Sequence, residues 1–237
     1  MNKKFILMLL LISSALVAET KMEYQINLVG MNMDYREYDK SGQILDSEKS
    51  SLSEMSGAEI IYNYFLDTDS NINFKVMGLS GKSDYVGSYI GSGQPYGSVV
   101  SRTSNEIRDV VLGYNTSNMS DIGVKMLGGL GVGYRFWQRE LSASQIEQYE
   151  WYSIRGNVGM EYAYKNFVTA IKFEYQYGIR PRMTASGISS DFKLGSANIM
   201  EFSIPLHYNF TKEFGIFGEY VYQYQKIKES NVVYDNS

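Results

Sequence analysis

From Phe167 to Arg180 the chain alternates between apolar and polar positions. One face carries Phe167, Thr169, Ile171, Phe173, Tyr175, Tyr177 and Ile179, and the other Val168, Ala170, Lys172, Glu174, Gln176, Gly178 and Arg180. A period of two belongs to a half-buried strand, because a helix would scatter those charges around its axis. The pattern recurs at 152–164 (Tyr152, Ile154, Gly156, Val158, Met160, Tyr162, Tyr164), 200–210, 214–224 and 122–136. Noisier versions occupy 22–38, 54–66, 71–85 and 103–116. Nine strands are predicted.

Short turns are expected at 67–70, 116–120, 165–166 and 211–213, and long polar loops near 39–53, 86–102, 138–149 and 183–194. Connections that alternate in length predict an all-β, up-and-down antiparallel transmembrane β-barrel. Strands of ~12–16 residues also exceed the ~9–11 that cross a bilayer at a tilt. Aromatic residues collect at both strand ends. The short-turn band holds Tyr62, Tyr64, Tyr114, Tyr162, Tyr164, Phe167, Tyr208, Phe210 and Phe214. The long-loop band holds Tyr35, Tyr85, Tyr134, Phe136, Tyr152, Tyr175, Tyr177, Tyr222 and Tyr224. Amphipathic rings at both interfaces form an aromatic girdle. A soluble lipocalin-like barrel also alternates, with its apolar face inward. Outward placement of Phe173, Tyr175 and Ile204 argues against that alternative.

The polar face then lines a lumen with both charge signs: Glu59, Lys75, Lys125, Arg135, Arg155, Glu161, Lys172, Glu174, Arg180, Glu201 and Glu219. A two-residue turn at Lys165–Asn166, with Asn taking the positive φ, fixes one register. Met160 then faces Ile171, Val158 faces Phe173, and Gly156 faces Tyr175, whose ring would cover the glycine. Arg155 is expected near Glu174 and Glu161 near Lys172, as diagonal neighbours inside the barrel.

Composition sharpens this picture. Tyr 21 and Gly 22 against Pro 3 suit long paired strands. Lys3 and Lys4, an apolar run from Phe5 to Ile12 and small residues up to Ala18 predict a cleavable signal peptide over 1–18, with Ala15 as the other cleavage point. Residues 19–237 are then one barrel domain. Cleavage would move the net charge from −4 to −6, which argues against nucleic acid, since that needs a basic footprint. With Cys 0 there is no disulfide framework and no thiol nucleophile. The expected location is the outer membrane of a Gram-negative bacterium. The expected partners are outer-membrane lipid, lipopolysaccharide and the barrel-assembly machinery; no cofactor is expected.

Candidate chemistry is sparse, and no catalytic or metal site is predicted. His207 is the single histidine. On its strand it should face Phe217 with Glu219 diagonal, either as a general-base pair or as a lumen hydrogen bond. Asp67-Thr68-Asp69-Ser70-Asn71 begins like a calcium loop but lacks the Gly at position six and the Glu at twelve, so it reads as a turn. Gly129, Gly131 and Gly133 share the lumen face, either to make room for long neighbours or to leave a bare groove. The whole of 19–237 resembles small outer-membrane barrels of OmpA-like and omptin-like architecture, including the ten-stranded omptin proteases. An omptin-like site would require an Asp two residues before the His. Ser203-Ile204-Pro205-Leu206-His207 has Pro there, so the resemblance implies fold without protease activity. The resulting functional expectation is a structural, surface-binding or narrow-pore barrel. The alternatives are a barrel enzyme using His207 and Glu219 and a soluble periplasmic binder. All-antiparallel closure needs an even count, so ten strands are expected in the intact protein, with the last one lacking in this chain. Otherwise 24–34 and 214–225 would meet across a gap or a parallel seam.

Overall fold

In the computed structural model, residues 3–11, 21–39, 41–88, 93–120, 124–188, 191–211 and 214–229 are described. They form one antiparallel sheet that closes on itself. In chain order the strands are β1 (Lys3–Leu11), β2 (Met22–Tyr38), β3 (Ile44–Lys49), β4 (Met55–Phe65), β5 (Ser70–Gly87) and β6 (Val99–Met119). They continue with β7 (Lys125–Ser142), β8 (Gln145–Tyr164), β9 (Phe167–Ala185), β10 (Phe192–Lys193), β11 (Ala197–Asn209) and β12 (Gly215–Ile227). β3 and β4 share one wall position between β2 and β5, and β10 and β11 share the position beside β9.

The β8–β9 register is the expected one: Tyr164 faces Phe167, Met160 faces Ile171, Val158 faces Phe173 and Gly156 faces Tyr175. Its turn differs in one detail. Lys165 takes the positive φ of 53°, and Asn166 does not. Tyr175 does not cover Gly156 either; Leu130 lies nearest the glycine. The Tyr175 hydroxyl donates to Asn198 Oδ1 at 2.6 Å, which draws the ring toward β11. Near its far end β9 bulges, so that Glu150 pairs with Arg182 but Tyr152 with Ile179. Arg180 takes a φ of 50° there, and Pro181, which has no N–H to donate, turns inward. The extra residue swaps the faces, and Arg180, expected in the lumen, is exposed.

Several predicted loops are strand. Residues 138–149 are the continuation of β7 and β8, joined by a tight turn at 143–144, and 39–53 contains β3. β6 runs to Met119, through most of the turn expected at 116–120, and β7 starts at Lys125. Along the middle of each strand the outward residues are large and apolar, from Tyr164 and Phe167 at one end to Tyr152 and Tyr177 at the other. Twelve steps from Tyr152 to Tyr164 at ~3.3 Å, foreshortened by a ~40° tilt, give a belt about 30 Å tall. Beyond it the outer surface turns polar. Arg102 meets Glu54 and Asp84, Arg108 meets Glu106, and Arg182 meets Glu150.

β1 lies between β2 and β12 and is antiparallel to both. It pairs with Phe217–Gln225 of β12 and with Gly30–Asp34 of β2. Neither a gap nor a parallel seam separates those strands. The strand that closes the ring is the segment expected to be the signal's charged and apolar region.

Candidate functional site: a layered lumen

Alternation sends every second side chain inward, and what those side chains are changes with height. Toward the short turns the inward residues are amides and charges: Asn63 and Asn73 pair at 2.8 Å, and Asn115 donates to Asn71 at 3.3 Å. Above them Asp109 bridges Arg135 at 2.9 Å and Arg155 at 2.7 Å, with all three side chains buried. Arg155 also lies 3.6 Å from Glu174, the expected neighbour. Lys75 pairs with Glu59 at 3.5 Å, and Glu59 accepts from Asn27 at 2.8 Å. Glycines make this layer possible. A Cβ on Gly133 would lie 2.7 Å from Arg155 Nε, and one on Gly129 would lie 2.3 Å from Asn115 Oδ1. The lumen glycines at 129 and 133 thus make room for neighbours' side chains.

The next layer is a packed apolar core, an unusual filling for a polar lumen. Met33, Met55, Ile107, Trp137, Tyr149, Trp151 and Ile199 are buried together, and Trp137 stacks on Tyr149 with centroids 5.1 Å apart. Above it sits Arg139, fully buried. It meets Glu48 at 2.6 Å, Glu147 at 2.7 Å and Asp46 at 3.0 Å, and its guanidinium lies 4.4 Å from the centre of the Tyr35 ring. Ser83 and Asn105 donate to Glu48 as well. The sequence pattern does not reveal this cluster, because the polarity of 39–53 and 138–149 predicts loops there. The signal that would have found it is period two in Asp46/Glu48 and Trp137/Arg139/Leu141. Burial pushes the Tyr35 and Tyr149 hydroxyls well above their ordinary range. Burial pushes Asp46 up to about 7, with Glu37 and Glu147 adding to the rise and Arg139 opposing it.

Tyr35 and Tyr85, expected in the outer aromatic band, belong to this interior, at 1% and 0% exposure. They fall on the odd positions shared with Met31 and Met33 in β2 and with Leu79 in β5, which face inward. The remaining girdle residues face out. Tyr62, Tyr134 and Tyr222 are half-buried, the first two against the rings of Tyr24 and Tyr152, and Tyr114, Tyr152, Tyr162, Tyr164, Phe167, Tyr175, Tyr177, Tyr208 and Phe210 are exposed.

Below the apolar layer a cavity of about 500 Å³ extends to the short turns, where Asp69, Ser70 and Ser117 line its mouth. Arg155, Glu161, Lys172, Glu174, Glu201, His207 and Glu219 all border it, as expected of the lumen charges. Two expected pairings are not made. Among the described residues no ion pair within 4.0 Å joins Glu161 to Lys172 or His207 to Glu219. His207 instead meets Phe217 edge-on, with centroids 6.3 Å apart, and faces it in the ladder. The general-base pair is therefore not assembled in this arrangement. Asp67, the start of the calcium-like run, accepts the Asp69 N–H at 2.9 Å, as in an Asx turn. No metal-binding group of three or more His, Cys, Asp or Glu occurs among the described residues. No protein-family model and no curated protein matches this chain.

Proposed function

We propose that this protein is an outer-membrane β-barrel of a Gram-negative bacterium with a structural or surface-binding role, and that its lumen does not conduct. The observation that carries the reading is the outward apolar belt. Leu130, Tyr152, Val158 and Phe173 lie on the outer wall with 70%, 65%, 61% and 43% of their surface open. In water a continuous belt of such side chains would be an aggregation surface; in lipid it is the matching solvent. Export through residues 1–18 and contact with lipopolysaccharide and the assembly machinery belong to the same proposal. Counting β3 with β4 and β10 with β11, the wall has ten positions among the described residues, one of them β1, and the proposed cleavage after 1–18 removes that one; the ten-stranded barrel of this proposal, even-numbered as all-antiparallel closure requires, therefore has another strand in β1's place. The closed character follows from two stacked seals, the Trp137–Trp151 layer and the Arg139 cluster above it.

Two measurements test this. The protein should fractionate with outer membranes and migrate differently in gels before and after boiling; recovery in the soluble fraction with unshifted mobility overturns the membrane reading. Reconstituted in a planar bilayer it should be electrically silent, and stepwise conductance would replace the closed barrel with a narrow pore.

A further inference from the structure

Above the aromatic belt, cations on the β3 to β6 wall are balanced where they stand. Arg102 meets Glu54 and Asp84, Arg108 meets Glu106, and Lys49 lies between Asp34 and Asp84 in its two ladders. The wall from β9 to β12 departs from this. Arg182 there engages Glu150 and Asp191. Arg180, Lys226 and Lys228 are exposed, and none has a carboxylate within 4.0 Å among the described residues. With Lys193 beside Arg182, the sector holds five exposed cations against the three acids Glu150, Asp191 and Glu229.

The ladders bring these cations together at one height. Along β12 the outward positions run Tyr220, Tyr222, Tyr224 and Lys226, with Lys228 just past the strand's end. The belt thus passes directly into two ammonium groups whose backbones are about 7 Å apart. Lys226 faces Asn198, and Asn198 faces Tyr177, so this lysine is level with a ring of the belt. The Lys228 N–H donates to the Ser196 carbonyl at 3.1 Å, which places an amide and a hydroxyl, rather than acids, beside the two lysines on β11. Arg180 joins them through the β9 bulge. Between the pairs Gly178–Ala197 and Arg182–Lys193 each strand has three residues, so Arg180 is level with Gly195. A Cβ on Gly195 would lie 2.5 Å from Lys228 Cβ, which puts the base of Lys228 against the residue beside Arg180. Arg180 holds a φ of 50°, at a backbone cost for any residue but glycine. A bulge can re-aim a side chain, and this one delivers an arginine to the outside where the belt ends.

We infer, on the outer-membrane reading above, that this sector is a docking surface for a phosphorylated lipid. The phosphate lies among Arg180, Lys226 and Lys228, and the acyl chains run down over Tyr177, Tyr224 and the rings below them. The lysine stems rise along the apolar wall while their ammonium groups reach the headgroup level, and a guanidinium suits phosphate oxygens. A free anion would meet only the cations, and an uncharged lipid only the rings.

The folded protein in non-ionic detergent micelles would be heated with phosphatidic acid, diacylglycerol of the same chains, inorganic phosphate or hexaglutamate. The reading is the temperature at which heat-dependent gel mobility is lost. Phosphatidic acid should raise it saturably by about 5 °C, and the other three should not. Arg180→Gln, Lys226→Gln and Lys228→Gln combined should abolish the rise, Lys226→Gln alone should lose part of it, and Lys82→Gln, on the β5 wall, should keep it. An equal rise with diacylglycerol would leave only the apolar belt, with inorganic phosphate an open anion site, and with hexaglutamate a site for acidic protein. Each of these overturns the proposal, as does a full response from the combined variant or no response to phosphatidic acid. The four titrations use the unaltered protein, so they decide even if the combined variant fails to fold. Recovery in the soluble fraction overturns this proposal together with the membrane reading, whereas a membrane-bound protein indifferent to the phosphate overturns this one alone.

Discussion

Gly133 is bare because Arg155 lies across it. The guanidinium reaches Asp109 only by passing over the β7 backbone, and Nε and Nη2 sit 2.7 and 2.8 Å from where a methyl would be. Gly133→Ala forces a buried, doubly bonded arginine to move, and overpacking of this kind costs ~1–3 kcal/mol. The expected outcome is a lower unfolding temperature in detergent, followed by the gel-mobility shift, with partial recovery when Arg155 is shortened to Lys in the same chain. An unchanged midpoint would mean that Arg155 has another route. This much was legible in sequence, since three glycines at period two on a polar face already ask what fills the space. The position of Tyr175 was not legible. Its hydroxyl partner, Asn198, belongs to a strand 23 residues away, and facing-pair rules on one hairpin say nothing of the neighbour on the other side.

At the scale of elements, β3 is lightly secured by its ladder, with three partners on β5 and a register shift against β2. Arg139 holds it from inside through Asp46 and Glu48. Removing that arginine strands three acids in a buried place, a change of ~3–5 kcal/mol in comparable sites. Arg139→Met should therefore destabilise the barrel strongly or free β3 to early proteolysis; unchanged melting and cleavage would show that the ladder alone suffices. Asp46 gives the same element a pH signature. Its folded pKa of about 7 lies above that of an unfolded aspartate. The folded state thus holds the extra proton between those values, and Asp46's contribution to stability falls as pH rises from about 4 to about 7. Asp46→Asn should flatten that part of the melting-temperature profile, while an unaltered profile would remove Asp46 as its source. Sequence reading lost β3 for a physical reason. In the belt, strands announce themselves by an apolar face, whereas above it the outer face is polar and the inner face of β3 carries acids. Polarity there looks like loop, and only the preserved period of two distinguishes it. The nine belt-height strands were legible because there the outer face is apolar and the inner face polar, which stamps the period of two on the sequence.

For the molecule as a whole, the seam between β2 and β12 is where the reading of the N-terminus and the architecture meet. The Phe5–Leu11 run is apolar enough to be an export signal and, in this arrangement, completes the sheet. N-terminal sequencing of protein extracted from outer membranes should begin at Glu19; a start at Met1 would make β1 a permanent part of the wall. The other whole-molecule feature is the polar collar, where paired strands continue well past the belt to Ser142, Gln145 and Ala185. In the proposed outer-membrane setting, the described residues at this end present a laddered rim. Backbone inside a ladder is a poor substrate for a protease, which needs several residues free at once. Proteinase K added to intact cells should cut at 93–98 and spare 99–108 and 135–142, which lie in paired strands. Fragments ending inside those spared stretches would show that the rim frays. If it does not, an antibody or other large ligand approaching from outside meets a surface whose shape is set before it arrives, and its affinity depends on fit to fixed strand edges and side chains more than on moulding a pliable loop around itself.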